Sequence, residues 1–288
     1  MCARPRLFII GGMATLLRQQ AEDRGGNRVV AVAVVAIAAW LACAGPPAVA
    51  SKARPSVHEA TLEQQNQKTP ELATDEFNAL LAKGSAIVFD ARTAEEYAVA
   101  HIPGSRILDE KQLGRFTQSF PDRSISIVVY SNGPFCDRAR IRSEELLRLG
   151  YTRISRYQLG LPVWRALGNT AETSLQGFRQ VARDSNTFAV DARSRAEYAA
   201  GTLPGAQAIL AGEVSKAERD RRLRYLDHSA RVIVFANNAG VARAVADEFA
   251  RNAYSNASYF GGTYAELKRA KFFTERKPSA SDLDDLPK

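Results

Sequence analysis

Of the three cysteines in this 288-residue chain, Cys2, Cys43 and Cys136, only Cys136 lies beyond the first fifty residues. It stands between a compact apolar run, Ile125–Tyr130, and a segment with apolar residues at helical spacing, Arg140–Leu149; Arg138, Arg140 and Arg142 follow it closely. A strand that ends in a loop and re-enters a helix turns backbone N–H groups and the positive end of the helix dipole toward that loop. Such a setting stabilises a thiolate and can bring a cysteine pKa from about 8.5 into the range of roughly 3.5 to 7.5, which makes the residue a nucleophile. Arg138 is the candidate to face the loop, because a guanidinium fork suits an oxyanion. Arg142 completes a Cys-x5-Arg count, a spacing suited to phosphoryl or arsenate chemistry, but it falls on the helix, and the plainer reading of the basic cluster is a solvated face.

The elements that must position Cys136 occur twice. Asp90-Ala-Arg92-Thr-Ala-Glu-Glu96-Tyr, followed by Ile102-Pro-Gly104, returns 101 positions later as Asp191-Ala-Arg193-Ser-Arg-Ala-Glu197-Tyr, followed by Leu203-Pro-Gly205. In the first copy a helix is expected from Thr74, as N-cap, through Leu81. Strands are expected at Ala86–Phe89, Ile125–Tyr130 and Thr152–Tyr157, a helical turn around Ala94–Ala98, and a helix over Arg140–Leu149 closed by Gly150. The second copy repeats the order with Thr187–Val190, Arg231–Phe235, Val241–Ala250 and Ala257–Phe260. Alternating strands and helices predict two three-layer α/β/α domains with parallel sheets, over 70–169 and 174–271. Residues 51–69 read as a polar linker, and 272–288, polar from Thr274 onward, as a disordered tail.

The N-terminal fifty residues belong to neither copy. Val29–Ala44 is an uncharged apolar run of 16 residues, preceded by Arg24 and Arg28 and followed by Ala48-Val49-Ala50. A basic flank, a short apolar run and a small-x-small site read as a secretory signal or, uncleaved, as a membrane anchor. Leu41-Ala42-Cys43 is a partial lipoprotein box. Either way the folded part is expected outside the cytoplasm, and cleavage after Ala50 leaves Cys136 as the only thiol, so no intramolecular disulfide can form. Removing residues 1–50 takes away five arginines and two acidic residues and lowers the net charge from +8 to +5. No basic stripe is interleaved with aromatics, and Arg219–Arg224 (RDRRLR) reads as a solvated helix face, so nucleic acid is not indicated. No cofactor is implied, and no Cys/His spacing suggests a metal.

The order of landmarks resembles the rhodanese-like family: Asp-x-Arg after a strand, Glu-Tyr, a Pro-Gly turn, a strand leading into the Cys136 loop, then Gly160-Leu-Pro-Val-Trp164. The resemblance covers Pro70–Leu167 and, with more decay, Ser174–Arg269. It implies a small α/β domain whose loop amides hold an anion or a persulfide, with thiosulfate or a persulfide as sulfur donor and a thiol, a thiol-bearing protein or cyanide as acceptor. Most members place cysteine directly after the strand, with an arginine after four more residues; here the loop reads Ser131-Asn132-Gly133-Pro-Phe135-Cys136-Asp137-Arg138. It is similar to a longer form with a cysteine at each end, Ser131 replacing the first and Cys136 retaining the second. A serine hydroxyl is a poor sulfur acceptor near neutral pH, so Cys136 must carry any transfer. Ser131, Asn132, Gly133, Phe135, Asp137 and Arg138 are then the substrate-binding candidates, with Phe135 and Trp164 at the pocket mouth or in the core.

Asp90, Arg92 and His101 form the structural motif, with Arg92 expected to pair with Glu96 or a nearby carboxylate and His101 to make a structural hydrogen bond. The second copy ends its strand at Ala236 and continues Asn237-Asn-Ala-Gly-Val241, without thiol or arginine, and Thr202 replaces His101. Its expected role is to pack against the first domain and shape its cleft. The leading expectation is an exported sulfurtransferase working through a Cys136 persulfide. The alternatives are an inactive module that binds an anion or a partner protein and, third, a thiol phosphatase or arsenate reductase.

Overall fold

The computed structural model describes residues 67–220, 222–223, 227–271, 273–279 and 283. The signal or anchor segment, the partial lipoprotein box and the linker up to residue 66 lie outside the described residues.

The first copy runs α1 (Thr74–Lys83), β1 (Ile87–Asp90), α2 (Ala94–Val99), β2 (Arg106–Ile107), α3 (Glu110–Ser119), β3 (Ser126–Tyr130), α4 (Arg138–Arg148), β4 (Arg153–Tyr157) and α5 (Gly160–Ala166). Its sheet is parallel throughout, in the order β2-β1-β3-β4. Period-two alternation along β3 splits the core in two. Ile127 and Val129 pack with Phe89, Phe116, Leu146 and Tyr151 on the face covered by α3 and α4. Val128 and Tyr130 pack with Phe77, Tyr157, Leu161 and Trp164 on the face covered by α1 and α5. That sandwich is the three-layer arrangement expected of apolar runs buried on both faces.

The second copy runs β5 (Ala171–Thr173), α6 (Leu175–Val181), β6 (Thr187–Asp191), α7 (Arg195–Ala200), β7 (Gln207–Ala208), α8 (Val214–Arg219), β8 (Arg231–Phe235), α9 (Ala239–Arg251), β9 (Ala257–Phe260) and α10 (Tyr264–Arg269). It forms a five-stranded parallel sheet, β5-β9-β8-β6-β7. Its core divides in the same way, Val232 and Val234 facing α8 and α9, Ile233 and Phe235 facing α6 and α10.

The two copies meet where Arg165 Nη1 donates to Asn256 Oδ1 at 2.9 Å and along a seam at the end of α2. Glu172 of β5 exchanges both backbone hydrogen bonds with His101, at 2.9 and 2.8 Å, and Thr173 Oγ1 donates to Val99 O at 2.9 Å. Gly177 of α6 lies so close to the Ala98 carbonyl at the end of α2 that a Cβ there would collide with it.

Several expectations change. Thr74 is the first helical residue rather than the cap; its Oγ1 bonds Tyr157 Oη at 3.1 Å while Glu76 accepts the Ala73 N–H. Helix α4 begins two residues earlier than expected, directly after the Cys136 loop. The tail is not disordered where it begins: Arg276 exchanges backbone hydrogen bonds with Thr202, both 2.9 Å, and Glu275 accepts from Tyr264 Oη. Of the RDRRLR segment, Arg221 and Arg224 lie outside the described residues, and the described part departs from a solvated helix face. Helix α8 ends at Arg219, and the Arg222 side chain is enclosed between Asp220 and Glu213, because desolvating a guanidinium is tolerated where carboxylates meet its fork.

Candidate functional site

The site is built where β3 ends and α4 begins. Ser131 is buried directly after the last residue of β3, and its carbonyl accepts the Leu161 N–H at 3.1 Å. Gly133 then turns the chain with φ +106°, and the Cys136 N–H closes back on the Gly133 carbonyl at 3.0 Å, with Pro134 second in the turn, where its fixed φ suits it. Gln158 holds the Pro134 carbonyl from below at 3.2 Å. Gly160, at φ +65°, presses against Ser131 O and the backbone of Gly133, leaving no room for a side chain. The loop is therefore held at Ser131, Gly133 and Pro134 by the backbone of Gly160 and Leu161 and the side chain of Gln158.

Cys136 is a free, partly buried thiol in this loop. Burial acts to raise its pKa, but the backbone N–H groups of Arg138 and Asn132 and the Ser131 hydroxyl all turn toward the sulfur, with the Arg138 charge nearby, and the net effect is a thiol pKa below the ordinary value. Ser131 Oγ also lies 3.3 Å from the Cys136 carbonyl oxygen. The Ser131 hydroxyl thus donates to the loop backbone at the Cys136 carbonyl.

Around the loop, the candidates separate. Arg138 contributes through its backbone amide, while its guanidinium pairs with Glu96 at 2.7 Å. Asp137 leads into α4 and pairs with Arg140. Arg142 sits in the second turn of α4, paired with Glu145 at 2.7 Å. A groove of about 360 Å³ lies beside Arg138, lined also by Thr93, Asp109, Ile141 and Arg142; all its lining residues belong to the first copy. Cys136 does not line this groove. A separate cavity of about 420 Å³ lies between the copies and is lined without Cys136. Trp164 is in the core, its Nε1 donating to Thr170 O. Phe135 is neither core nor pocket wall: it is 97% exposed at the loop tip.

The framework motif is a buried fork. Arg92 pairs with Asp90, not Glu96: Nε donates to Oδ1 at 2.9 Å, Nη2 to Oδ2 at 2.5 Å and to Ala100 O at 2.6 Å. The turn after β1 brings residues i and i+2 face to face in the interior, where a desolvated carboxylate needs its donors at hand. Tyr130 Oη completes the shell at 2.5 Å from Asp90 Oδ2, its own pKa pushed well above the ordinary value by burial and by that carboxylate, so it stays a donor. His101 is buried, stacked on Tyr97, with Nδ1 2.8 Å from Tyr97 O. It is far more a joint of the seam than a base.

A model of the rhodanese-like domain matches residues 73–167 and again 175–270. The chain belongs to the rhodanese-like family. As a tandem rhodanese-like protein it is similar to a solved protein from Bacillus halodurans, at 25% identity over 36% of this chain and 77% of that one, with a TM-score of 0.34. It is also similar to the thiosulfate sulfurtransferase of Pseudomonas aeruginosa, at 25% identity over 69% of this chain and 44% of that one, TM-score 0.33. The human single-domain sulfurtransferase matches at 25% identity over 32% of this chain and 91% of its own, TM-score 0.28. Among curated proteins none matches significantly in sequence.

Glu96 and Gly160 stand in the recurring landmarks and Tyr130 ends an apolar run, but the motif does not give their places around the Cys136 loop and the Asp90 fork. For Glu96 a signal exists, since Glu96 and Asn132 recur as Glu197 and Asn237, and both pairs are hydrogen-bonded, at 2.5 and 2.6 Å.

Proposed function

We propose that the protein is a sulfurtransferase that carries sulfane sulfur on Cys136. The observation that carries this reading is the seat of Cys136, in a tight turn closed by its own N–H on Gly133 O and set directly before the start of α4, where the N–H groups of Arg138 and Asn132 help to lower the thiol pKa. Donors placed this way stabilise a thiolate, and the same donors suit the terminal sulfur of a persulfide. In the first step the Cys136 thiolate attacks the outer sulfur of thiosulfate or of a persulfide. A Cys136–sulfur bond forms, the donor's S–S bond breaks, and sulfite or a thiolate leaves with the electron pair. In the second step a thiolate or cyanide attacks the outer sulfur, and the Cys136 thiolate is regenerated without net oxidation.

The experiment is mass spectrometry after thiosulfate or persulfide treatment. The wild type gains the mass of one sulfur atom, and Cys136→Ser does not; an adduct that survives in the variant overturns the reading. Because the thiol pKa is lowered, alkylation of Cys136 by iodoacetamide rises with pH and levels off earlier than for a free cysteine, whose midpoint is about 8.5.

The location proposed for this activity is outside the cytoplasm, on the strength of the basic flank, the Val29–Ala44 run and the Ala48-Val-Ala50 site. N-terminal sequencing of the protein from fractionated cells tests it: retention in the cytoplasm with an intact N-terminus overturns export.

A further inference from the structure

The two residues whose backbone amides face the Cys136 sulfur are also the two that share one carboxylate. Asn132 Nδ2 donates to Glu96 Oε1 at 2.5 Å, and Arg138 Nη1 donates to Glu96 Oε2 at 2.7 Å. Asn132 and Arg138 flank the loop, one just past β3 and one at the start of α4, so Glu96 spans the loop from outside. Glu96 is itself fixed, because it is the N3 residue of a capping box on α2: its Oε2 accepts the Thr93 N–H at 2.9 Å, and the Thr93 hydroxyl accepts the Glu96 N–H at 3.2 Å.

We propose that Glu96 is the positioning residue of the Cys136 site, holding the Asn132 and Arg138 amides on the sulfur through one carboxylate oxygen each. The inference rests on the sulfur-carrying role of Cys136 for its purpose, though not for its geometry. The second copy isolates the two halves of the device. Glu197 keeps the asparagine, with Asn237 Nδ2 at 2.6 Å, but α9 starts at Ala239, directly after Asn238, whose side chain caps the Val241 N–H, and the arginine is absent. The asparagine leg therefore belongs to the fold, and the arginine leg occurs in the copy that has a sulfur to serve. Burial opposes ionisation of Glu96, but hydrogen bonds from Thr93, Asn132 and Arg138 lower its pKa to about 2, so the brace stays charged throughout the working range of a thiolate.

The test reads Cys136 without any sulfur donor. Glutamine at position 96 still serves a capping box but cannot accept from both partners at once, since one of its two atoms is a donor. In Glu96→Gln the pH midpoint of Cys136 alkylation is expected to move up by about one unit, a tenfold change in thiolate fraction below the midpoint. Glu197→Gln, the matched change in the second copy, should lower the melting temperature comparably and leave that midpoint in place. Asn132→Ala, which keeps the backbone amide and removes only its tether, should give a smaller rise and guards against a Glu96 variant that fails to fold. An unmoved midpoint in both Glu96→Gln and Asn132→Ala overturns the proposal. A midpoint that moves in a protein that never forms a persulfide breaks the sulfur-transfer reading and leaves this one standing.

Discussion

The two copies hold the same buried fork and build different loops on it. In both, the arginine two residues after the aspartate binds it and a carbonyl eight residues on: Arg92 to Ala100 O at 2.6 Å, Arg193 to Gly201 O at 2.7 Å. In both, the tyrosine after the capping glutamate donates to a carbonyl, Tyr97 to Ser105 O and Tyr198 to Ala206 O. The divergence starts one residue past the central strand. Ser131 opens a loop that reaches α4 only at Arg138, whereas Ala236 is followed almost at once by α9, and Asn238 fills the helix start with its own side chain. Helix-start donors that a side chain of the same helix already takes are not open to a ligand. The fold survives the loss of the loop because the fork, not the loop, carries the desolvation of the interior.

The largest effect expected from breaking this comparison is at Gly160. The longer loop of the first copy needs the backbone of residue 160 against Ser131 and Gly133 at φ +65°. Thr263 occupies the matching place before α10 in an extended conformation, φ −114°, capping Glu266. Gly160→Ala combines left-handed strain with a backbone clash and should cost about 3 kcal/mol or more and abolish sulfur loading. Thr263→Ala should cost only about 1 kcal/mol, the loss of a cap. Denaturant unfolding of the two variants checks the pair; equal costs would mean that the loop is not held from Gly160.

The next effect concerns how each copy satisfies the same carboxylate. Asp90 takes its last hydrogen bond from Tyr130, and Asp191 takes it from Thr202 at 2.6 Å, with Phe235 in the place of the tyrosine. Tyr130→Phe leaves a buried carboxylate oxygen short of a donor and should cost about 1–3 kcal/mol. Adding His101→Thr recreates the second copy's solution and should recover about 1 kcal/mol relative to additivity, as a double-mutant cycle would measure. Strict additivity would show that the two hydroxyls do not serve the same oxygen.

That exchange also shows how far the chain could be read in advance. Strands β1, β3, β8 and β9 are compact apolar runs buried on both faces, so hydrophobicity alone marks them. Helix α3 is hidden because EKQLGRFTQS buries only Phe116 and has a glycine inside. Cys136 is legible because it is the single cysteine among the described residues. Glu96 is misread because its partners Asn132 and Arg138 lie 36 and 42 positions away, and only the folded chain brings them together. Arg92 is drawn off instead by the aspartate across its own turn. Phe135 has no structural account beyond its place at the loop tip.

The smallest effect is at the far end of each copy. In the first, the backbone of His101 is covered by Glu172, which belongs to the second copy's first strand; in the second, the backbone of Thr202 is covered by Arg276 of the tail. The tail thus does for the last copy what the next copy does for the one before it, closing backbone groups that would otherwise need water. A chain ending at Phe273 would lose two backbone hydrogen bonds and the Glu275 contacts with Tyr264 and Lys268. The expected cost is about 1 kcal/mol, since the exposed groups regain water, and a fall in melting temperature of roughly 2–4 °C. Amide exchange sharpens the point: the Thr202 N–H should exchange faster in the truncated chain while the His101 N–H keeps its protection, because Glu172 is anchored by an entire domain. If both amides lost protection together, the two edges would be coupled through the seam, and the copies would have to be treated as one cooperative unit.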